Sequence, residues 1–276
     1  MMSTSYCDWL LVSDIDGTLN DKKLNLPENN KEAIRRYVDN GGYFTLCSGR
    51  NLQSLAIHYN KLDIKTPAIF LNGAGIYDFG SKELLDFRPI TAEGEDILID
   101  IYKRFKSSQL TIYGIDKLHL VKRTCLYGYV ISKMDKLSYQ FYNNTDALPR
   151  GVWGKVTFFG TKSVVRKIEA IIKNEENRKH FECFYTSPYS LEIVRAGVNK
   201  GVAVNKLAEI LGIDKDKVGA IGDYYNDVEM LKAVKHPVCC GQAPDDIKSL
   251  CEHVACHCND GAVCDFINYI EKNYIL

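Results

Sequence analysis

Two things are missing from this 276-residue sequence. It has no excess of either charge, since 35 Lys and Arg face 35 Asp and Glu. It also has no apolar run near the roughly 20 residues that span a bilayer. The first absence weighs against general nucleic-acid binding and against attraction to acidic membranes, because both need a positive field. The second leaves no transmembrane candidate. Neither nucleic acid nor membrane is therefore an expected partner. Trp9-Leu10-Leu11-Val12 is too short for a secretory leader and no cleavage site follows it, so the expected address is the cytoplasm. No internal repeat and no low-complexity tract interrupts the chain. Disorder is excluded as well: with 46% hydrophobic and 25% charged residues, enough surface can be buried to fold. At about 150 residues per domain, the length allows one or two domains.

Cysteine, by contrast, is plentiful. Of ten, six follow residue 238: Cys239, Cys240, Cys251, Cys256, Cys258 and Cys264. A chain this long needs no disulfide staples, so free thiols packed as small apolar side chains are expected. Cys251-Glu252-His253 and Cys256-His257-Cys258 contain metal-ligand types. Their crowded spacing departs from the well-separated Cys pairs of structural zinc sites.

The N-terminal third alternates strand and helix. Trp9–Ser13 is a short apolar run of the kind expected in a buried parallel strand. A helix over Glu28–Asn40 follows, introduced by Pro27 and closed by Gly41-Gly42. Tyr43–Cys47, a helix over Asn51–Lys61 and Pro67–Leu71 continue the rhythm of an α/β parallel sheet. The middle reads differently. Helices near Thr91–Ser107 and Lys162–Asn174 flank short strands at Leu110–Tyr113, His119–Lys122, Tyr127–Ser132 and Lys155–Phe159, as in an inserted α+β unit. The α/β rhythm then resumes with a strand at Leu191–Val194 and a helix at Lys200–Leu211. A strand at Val218–Ile221 and a helix at Val228–Val234 follow. Pro237–Cys240 is the last strand and Asp260–Tyr274 a final helix. The expected fold is an α/β Rossmann-like core formed by residues 1–86 and 189–276, with an α+β cap at 87–188 inserted into it.

Polar residues gather where the apolar strands stop: Asp14/Asp16, Ser48/Arg50, Asn72 and Asp223/Asn226/Asp227. Ligands of open α/β sheets bind outside the carboxyl ends of the strands, so four strand ends are expected to face one crevice. Asp14 and Asp16 sit on one side of extended chain. Two carboxylates at the end of a buried strand are costly unless a cation or a reaction uses them. A calcium loop does not fit, because Gly17 and Asn25 fall at the wrong loop positions. An exposed acidic turn is an unattractive sequel to so apolar a strand.

Asp14-Ile15-Asp16-Gly17-Thr18-Leu19 resembles the first signature of the haloacid dehalogenase superfamily. Ser48-Gly49-Arg50, Lys200 in Val198-Asn199-Lys200-Gly201, and Gly222-Asp223-Tyr224-Tyr225-Asn226-Asp227 resemble the second, third and fourth, in order. With Asn72-Gly73-Ala74, the long insertion and the tail motifs Val238–Ala243 and Asn259-Asp260-Gly261, the chain is similar to Cof-type sugar-phosphate phosphatases. That resemblance implies Asp14 as nucleophile, forming an aspartyl-phosphate. Asp16 would act as general acid and then base. Mg²⁺ would be held by the Asp14 carboxylate, the Asp16 carbonyl and Asp223. Ser48, backbone N–H groups near Ile15 and Gly49, Lys200 and Asn226 would bind phosphate, and Asp227 would position Lys200 or a metal ligand. The implied substrate is a small phosphorylated metabolite.

Other positions stay open at this stage. Arg50 suits a phosphate contact or an ion pair in the core, and Asn72, with Gly73, suits a turn or a substrate contact. Tyr224 departs from the small residues common there in the family and would narrow the crevice. In resembling proteins the cap carries leaving-group contacts; candidates here are Tyr113, His119, Lys122, Arg123 and Lys155, and the hinges would fall near Asp86–Pro89 and Ser187–Ser190. The rival readings are a phosphomutase or phosphotransferase using the same nucleophile, and a silent binding or regulatory protein.

Overall fold

The computed structural model describes residues 6–121, 129–130, 133 and 137–276. In chain order the strands are β1 (Leu10–Ser13), β2 (Tyr43–Leu46), β3 (Ala68–Phe70), β4 (Gly75–Asp78), β5 (Glu83–Phe87), β6 (Gln109–Tyr113), β7 (Leu118–Val121), β8 (Tyr139–Tyr142), β9 (Lys155–Phe159), β10 (Phe181–Ser187), β11 (Ser190–Arg195), β12 (Val218–Gly222), β13 (His236–Cys239) and β14 (His253–Val254). The main helices are α1 (Glu28–Asp39), α2 (Leu52–Leu62), α3 (Ala92–Arg104), α4 (Lys162–Ile172), α5 (Lys200–Leu211), α6 (Val228–Ala233), α7 (Asp245–Lys248) and α8 (Ala262–Ile270). No helix among the described residues is long and apolar enough to cross a membrane.

The chain divides into two compact units. The first takes residues up to Gly49, Ile57–Leu85 and Asn199–Leu276. Its sheet has the order β14-β13-β12-β1-β2, and every neighbouring pair in it is parallel. Parallel strands are buried on both faces, which is why β1 reads as an unbroken apolar run. Leu10 and Val12 pack on one side against Val204 and Leu207 of α5 and Met230 of α6. On the other side, Leu11 and Phe266 of α8 both crowd Gly219. Each of these fully buried side chains contributes about 1.5–3 kcal/mol of burial free energy. The α5 helix starts where Asn199 accepts the Val202 N–H at 2.9 Å and stops at Gly212, whose φ of 68° suits a left-handed cap.

One strand departs from expectation here. β3 joins the parallel sheet only through an isolated bridge between Cys47 and Ile69. It pairs instead with β4 in the antiparallel direction, in a small sheet ordered β3-β4-β5. β3 is only three residues long, and it meets the end of β2 where the Ser48 N–H donates to the Ile69 carbonyl at 3.1 Å.

The second unit takes residues 50–56 and Asp86–Val198. Its six-stranded sheet has the order β10-β11-β9-β6-β7-β8. The pairs are antiparallel except β7 with β8, which is parallel. Leu98 and Ile101 of α3 and Val165 and Ile168 of α4 pack on Leu110, Ile112, Val156, Phe158, Leu191 and Ile193. Thr91 and Thr161 cap the two helices. Two expectations are corrected. Leu191–Val194 lies in this sheet, within β11, and not in the parallel core. Ser187–Ser190 is a tight hairpin with Ser187 opposite Ser190, so it is no hinge; the division from the first unit falls at Val198/Asn199. The expected strand Tyr127–Ser132 lies largely outside the described residues, and its described members, Tyr129 and Val130, are helical.

Candidate active site

The candidate site lies in the first unit, at the carboxyl ends of β1 and β12, the two central strands. Asp14 directly follows β1, and its N–H donates to the Ile221 carbonyl at 3.0 Å. The residue is only 4% exposed, and its carboxylate accepts from Lys200 Nζ at 2.5 Å. Lys200 is the first residue of α5. A lysine opening a helix is ordinarily solvated, yet this one is 1% exposed. Its ammonium also donates to Asp227 Oδ1 at 2.5 Å. The second Asp227 oxygen accepts the backbone N–H groups of Asp223 at 3.0 Å and Tyr224 at 3.3 Å. Asp227 thus ties Lys200 to the loop that carries Asp223.

The charges in this cluster do not balance. Burial raises the Asp14 carboxyl well above the usual range, and Asp227, Asp16 and Asp223 push it further against the opposing pull of Lys200. Four carboxylates therefore face one ammonium. Burial opposes the Lys200 charge, but Asp14 and Asp227 outweigh it and raise its pKa. Oxygen atoms of Asp14, Asp223 and Asp227 come within 4.8 Å of one another. Both Asp227 oxygens are already engaged, which leaves Asp14 and Asp223 as carboxylate donors. A hard divalent cation fits such a donor set and supplies the missing positive charge.

Asp223 is held by neighbours that the sequence did not mark. Thr18 Oγ1 donates to its Oδ1 at 3.4 Å. Gln242 Nε2 donates to the Gly17 carbonyl at 2.5 Å, and its Oε1 accepts the Cys258 N–H at 3.1 Å. The only sequence signal for Gln242 was its place in the tail motif. Gly17 itself has φ +84°, and a Cβ there would lie 2.5 Å from Asp223 Oδ2. Gly17→Ala is accordingly expected to displace Asp223 and to weaken binding of a divalent cation by about 10–100-fold, the usual cost of losing support for a metal ligand. A calorimetric Mg²⁺ titration checks this.

The remaining candidates are placed as follows. Asp16 is exposed, unlike Asp14, although it is near enough to act on the Asp14 carboxyl. The Ile15 carbonyl accepts from Thr18 and Asn20 and shapes the turn. Ser48 is buried, and its carbonyl accepts the Asn72 N–H at 2.9 Å. Leu71, Asn72 and Gly73 all adopt positive φ, 51°, 57° and 97°. A Cβ on Gly73 would run into the Asn199 carbonyl, and one on Gly49 would lie 2.8 Å from Asn72 Oδ1. The structure therefore brings Asn72 and Gly73 against Ser48-Gly49 and the start of α5. Asn226 is half-buried in a short turn beside Asp227. Tyr224 is 50% exposed and meets Tyr225 edge-on, ring centroids 5.0 Å apart.

In the second unit, Arg50 Nη1 donates to Ser54 Oγ at 2.8 Å. Lys155 is buried against Glu192, at 2.6 Å, and its ammonium lies 4.4 Å from the Tyr113 ring centroid. His119 Nδ1 is 3.0 Å from the Tyr142 hydroxyl, and burial lowers its pKa. Lys122 and Arg123 lie outside the described residues.

A titration follows from the geometry. Without metal, burial and then Asp227 raise the Asp223 carboxyl to about 6. The folded chain then keeps a proton that the unfolded chain releases in the ordinary aspartate range, near 4. The stability of the metal-free protein should therefore fall as pH rises through about 4 to 6. A divalent cation that binds only the folded state should restore it above pH 6. Thermal melts in EDTA at pH 5 and 7 check the first point; Asp223→Asn should flatten the change.

An α/β sheet with acidic side chains at its central strand ends defines a class of enzyme, and comparison with known proteins identifies the family. A model of haloacid dehalogenase-like hydrolases matches residues 11–267, and the chain belongs to that family. It is 28% identical over 284 residues to the 5-amino-6-(5-phospho-D-ribitylamino)uracil phosphatase YwtE of Bacillus subtilis, covering 94% of this chain and 97% of that protein. The pyridoxal phosphate phosphatase YbhA of Escherichia coli is 25% identical, over 87% of this chain and 90% of its own length. A haloacid dehalogenase-like hydrolase of known structure from Bacteroides thetaiotaomicron superposes with a TM-score of 0.84 at 24% identity, covering 95% and 99% of the two chains.

Proposed function

We propose that this hydrolase is a Mg²⁺-dependent phosphatase of small phosphomonoesters that works through an aspartyl-phosphate. The observation that carries the reading is the buried Asp14–Lys200–Asp227 triad beside Asp223. In it a nucleophilic carboxylate is held at a strand end with too little positive charge around it. The names of the relatives, which act on a phosphoribityl pyrimidine and on pyridoxal phosphate, support a small phosphorylated metabolite as substrate. Free thiols at the nine described cysteines fit a reducing, cytoplasmic address.

In this mechanism the Asp14 and Asp223 carboxylates and the Asp16 carbonyl would hold Mg²⁺, whose charge would offset the repulsion between Asp14 and a phosphate dianion. Asp14 attacks phosphorus and the ester oxygen leaves. Asp16, exposed beside the buried Asp14, protonates that oxygen. It then takes a proton from the water that hydrolyses the acyl phosphate. Lys200 keeps Asp14 oriented and faces the phosphate oxygens, with Ser48, Asn226 and the N–H groups near Ile15 and Gly49. Asp227 fixes Lys200. Arg50 and Asn72 are candidate contacts at the edge of the substrate.

Release of phosphate from p-nitrophenyl phosphate with Mg²⁺, abolished by EDTA, tests the reading. No release with Mg²⁺ present would overturn it. Product transfer to an added sugar in place of water would instead establish a phosphotransferase.

A further inference from the structure

The α2 helix buries Leu55, Tyr59 and Leu62, and His58 falls on the same helical stripe. A polar ring on a buried stripe needs a hydrogen-bond partner. His58 Nε2 lies 2.9 Å from Asn20 Nδ2. An amide nitrogen can only donate, so this ring nitrogen accepts. Asn20 is itself 1% exposed, and its Oδ1 is buried with no hydrogen-bond partner among the described residues. The hold on the Asn20 amide therefore comes from His58.

Asn20 closes the turn that carries Asp16. Its N–H donates to the Ile15 carbonyl at 3.0 Å, and an isolated bridge pairs it with Asp16. One residue earlier, the Leu19 carbonyl accepts from Asn30 Nδ2 of α1 at 2.9 Å. Beyond Asn20 the chain holds itself, because Asp21 Oδ1 accepts the N–H groups of Lys23 and Asn25, both at 2.8 Å. The far end of the turn is thus clamped twice, from α1 at Leu19 and from α2 at Asn20. His58 and Asn20 both belong to the first unit.

We propose that His58 is a positioning residue for Asp16: by anchoring Asn20 it fixes the turn from which Asp16 protonates the leaving oxygen. Leucine at position 58 would leave both ends of a buried amide unpaired. A group in that state gains by moving toward water, and the Asn20 backbone would move with it. The bond to the Ile15 carbonyl would then loosen, and Asp16 would lose its fixed place. An acid must stand within hydrogen-bond reach of the oxygen that it protonates, so the loss should be greatest for esters with a poor leaving group. The effect on catalysis rests on the proposed reaction; the anchoring of the turn does not.

The test compares the wild type with His58→Leu and His58→Gln, the second of which offers Asn20 a side-chain carbonyl as acceptor. Hydrogen exchange in EDTA should show the Asn20 amide exchanging on the order of tenfold faster in His58→Leu and near the wild-type rate in His58→Gln. The amides of β12 should be unchanged in both. With Mg²⁺, kcat/KM of His58→Leu should fall about tenfold or more on phenyl phosphate and less than about threefold on p-nitrophenyl phosphate, whose better leaving group has less need of an acid. His58→Gln should recover most of the activity on both. An unchanged Asn20 exchange rate in His58→Leu would overturn the anchoring. Equal losses on the two esters would overturn the positioning of the acid. A wild type that releases phosphate from neither ester would overturn the phosphatase reading and with it the role of Asp16, while the exchange rates would still decide the anchoring.

Discussion

Lys200→Met is expected to unfold more easily than the wild type and to lose activity. Methionine matches the length of the side chain but carries no charge. Asp14 and Asp227, 4% and 0% exposed, would remain in the interior with nothing to balance them. Breaking a buried ion pair by removing one partner costs about 3–5 kcal/mol, a large share of the 5–15 kcal/mol that typically separates folded from unfolded protein. Proton uptake limits the loss. Asp14 is already raised by burial, so it would become neutral before paying the full cost of an isolated charge. The destabilisation should therefore be smaller at pH 5 than at pH 8. At about 2–4 °C per kcal/mol for a chain of this size, the melting temperature should fall by roughly 6–20 °C at pH 8, as differential scanning calorimetry would show. An unchanged melting temperature would mean that the triad does not hold the strand ends together.

Asp14→Asn should separate chemistry from stability. Asparagine keeps the shape of the side chain and removes one of the four converging carboxylates. Lys200 would retain Asp227 at its Nζ, so one ammonium and one carboxylate still pair. The excess negative charge falls, and the melting temperature in EDTA should hold or rise. Turnover should drop at least about a thousandfold, because an amide cannot attack phosphorus and nucleophiles that act as part of a unit cannot be partly replaced. Steady-state assay of phosphate release against thermal melts of the same preparation checks both halves. The pair of variants is informative together: Lys200→Met loses stability and function, Asp14→Asn only function.

The strands that end the core were legible because parallel strands are apolar throughout. Leu10–Ser13 and Val218–Gly222 stop abruptly at aspartates, and α5 was bounded by Asn199 and Gly212, both strong caps. Leu191–Val194 misled, because a short apolar run looks alike in a parallel core and an antiparallel sheet. The alternation of Ser190 and Glu192 with Leu191 and Ile193 was the signal for the latter. β4 and β5 have no such alternation and went unread. In the site, the aspartates and Lys200 were legible as types at strand and helix ends. Their pairing was not, since spacing carries no information on which carboxylate an ammonium meets. Gln242 and Thr18 act through the backbone carbonyl of Gly17 and one oxygen of Asp223, contacts that only the folded turn creates.

The central claim is that Asp14 carries the phosphoryl group. It is tested most directly by acid quench of enzyme with phosphorylated substrate and Mg²⁺ in the first turnover, followed by peptide mapping. The prediction is an acid-stable, hydroxylamine-labile phosphate on the peptide that contains Asp14, absent in Asp14→Asn and in EDTA. Phosphate release in the wild type with no label on that peptide, and label or turnover persisting in Asp14→Asn, would contradict it.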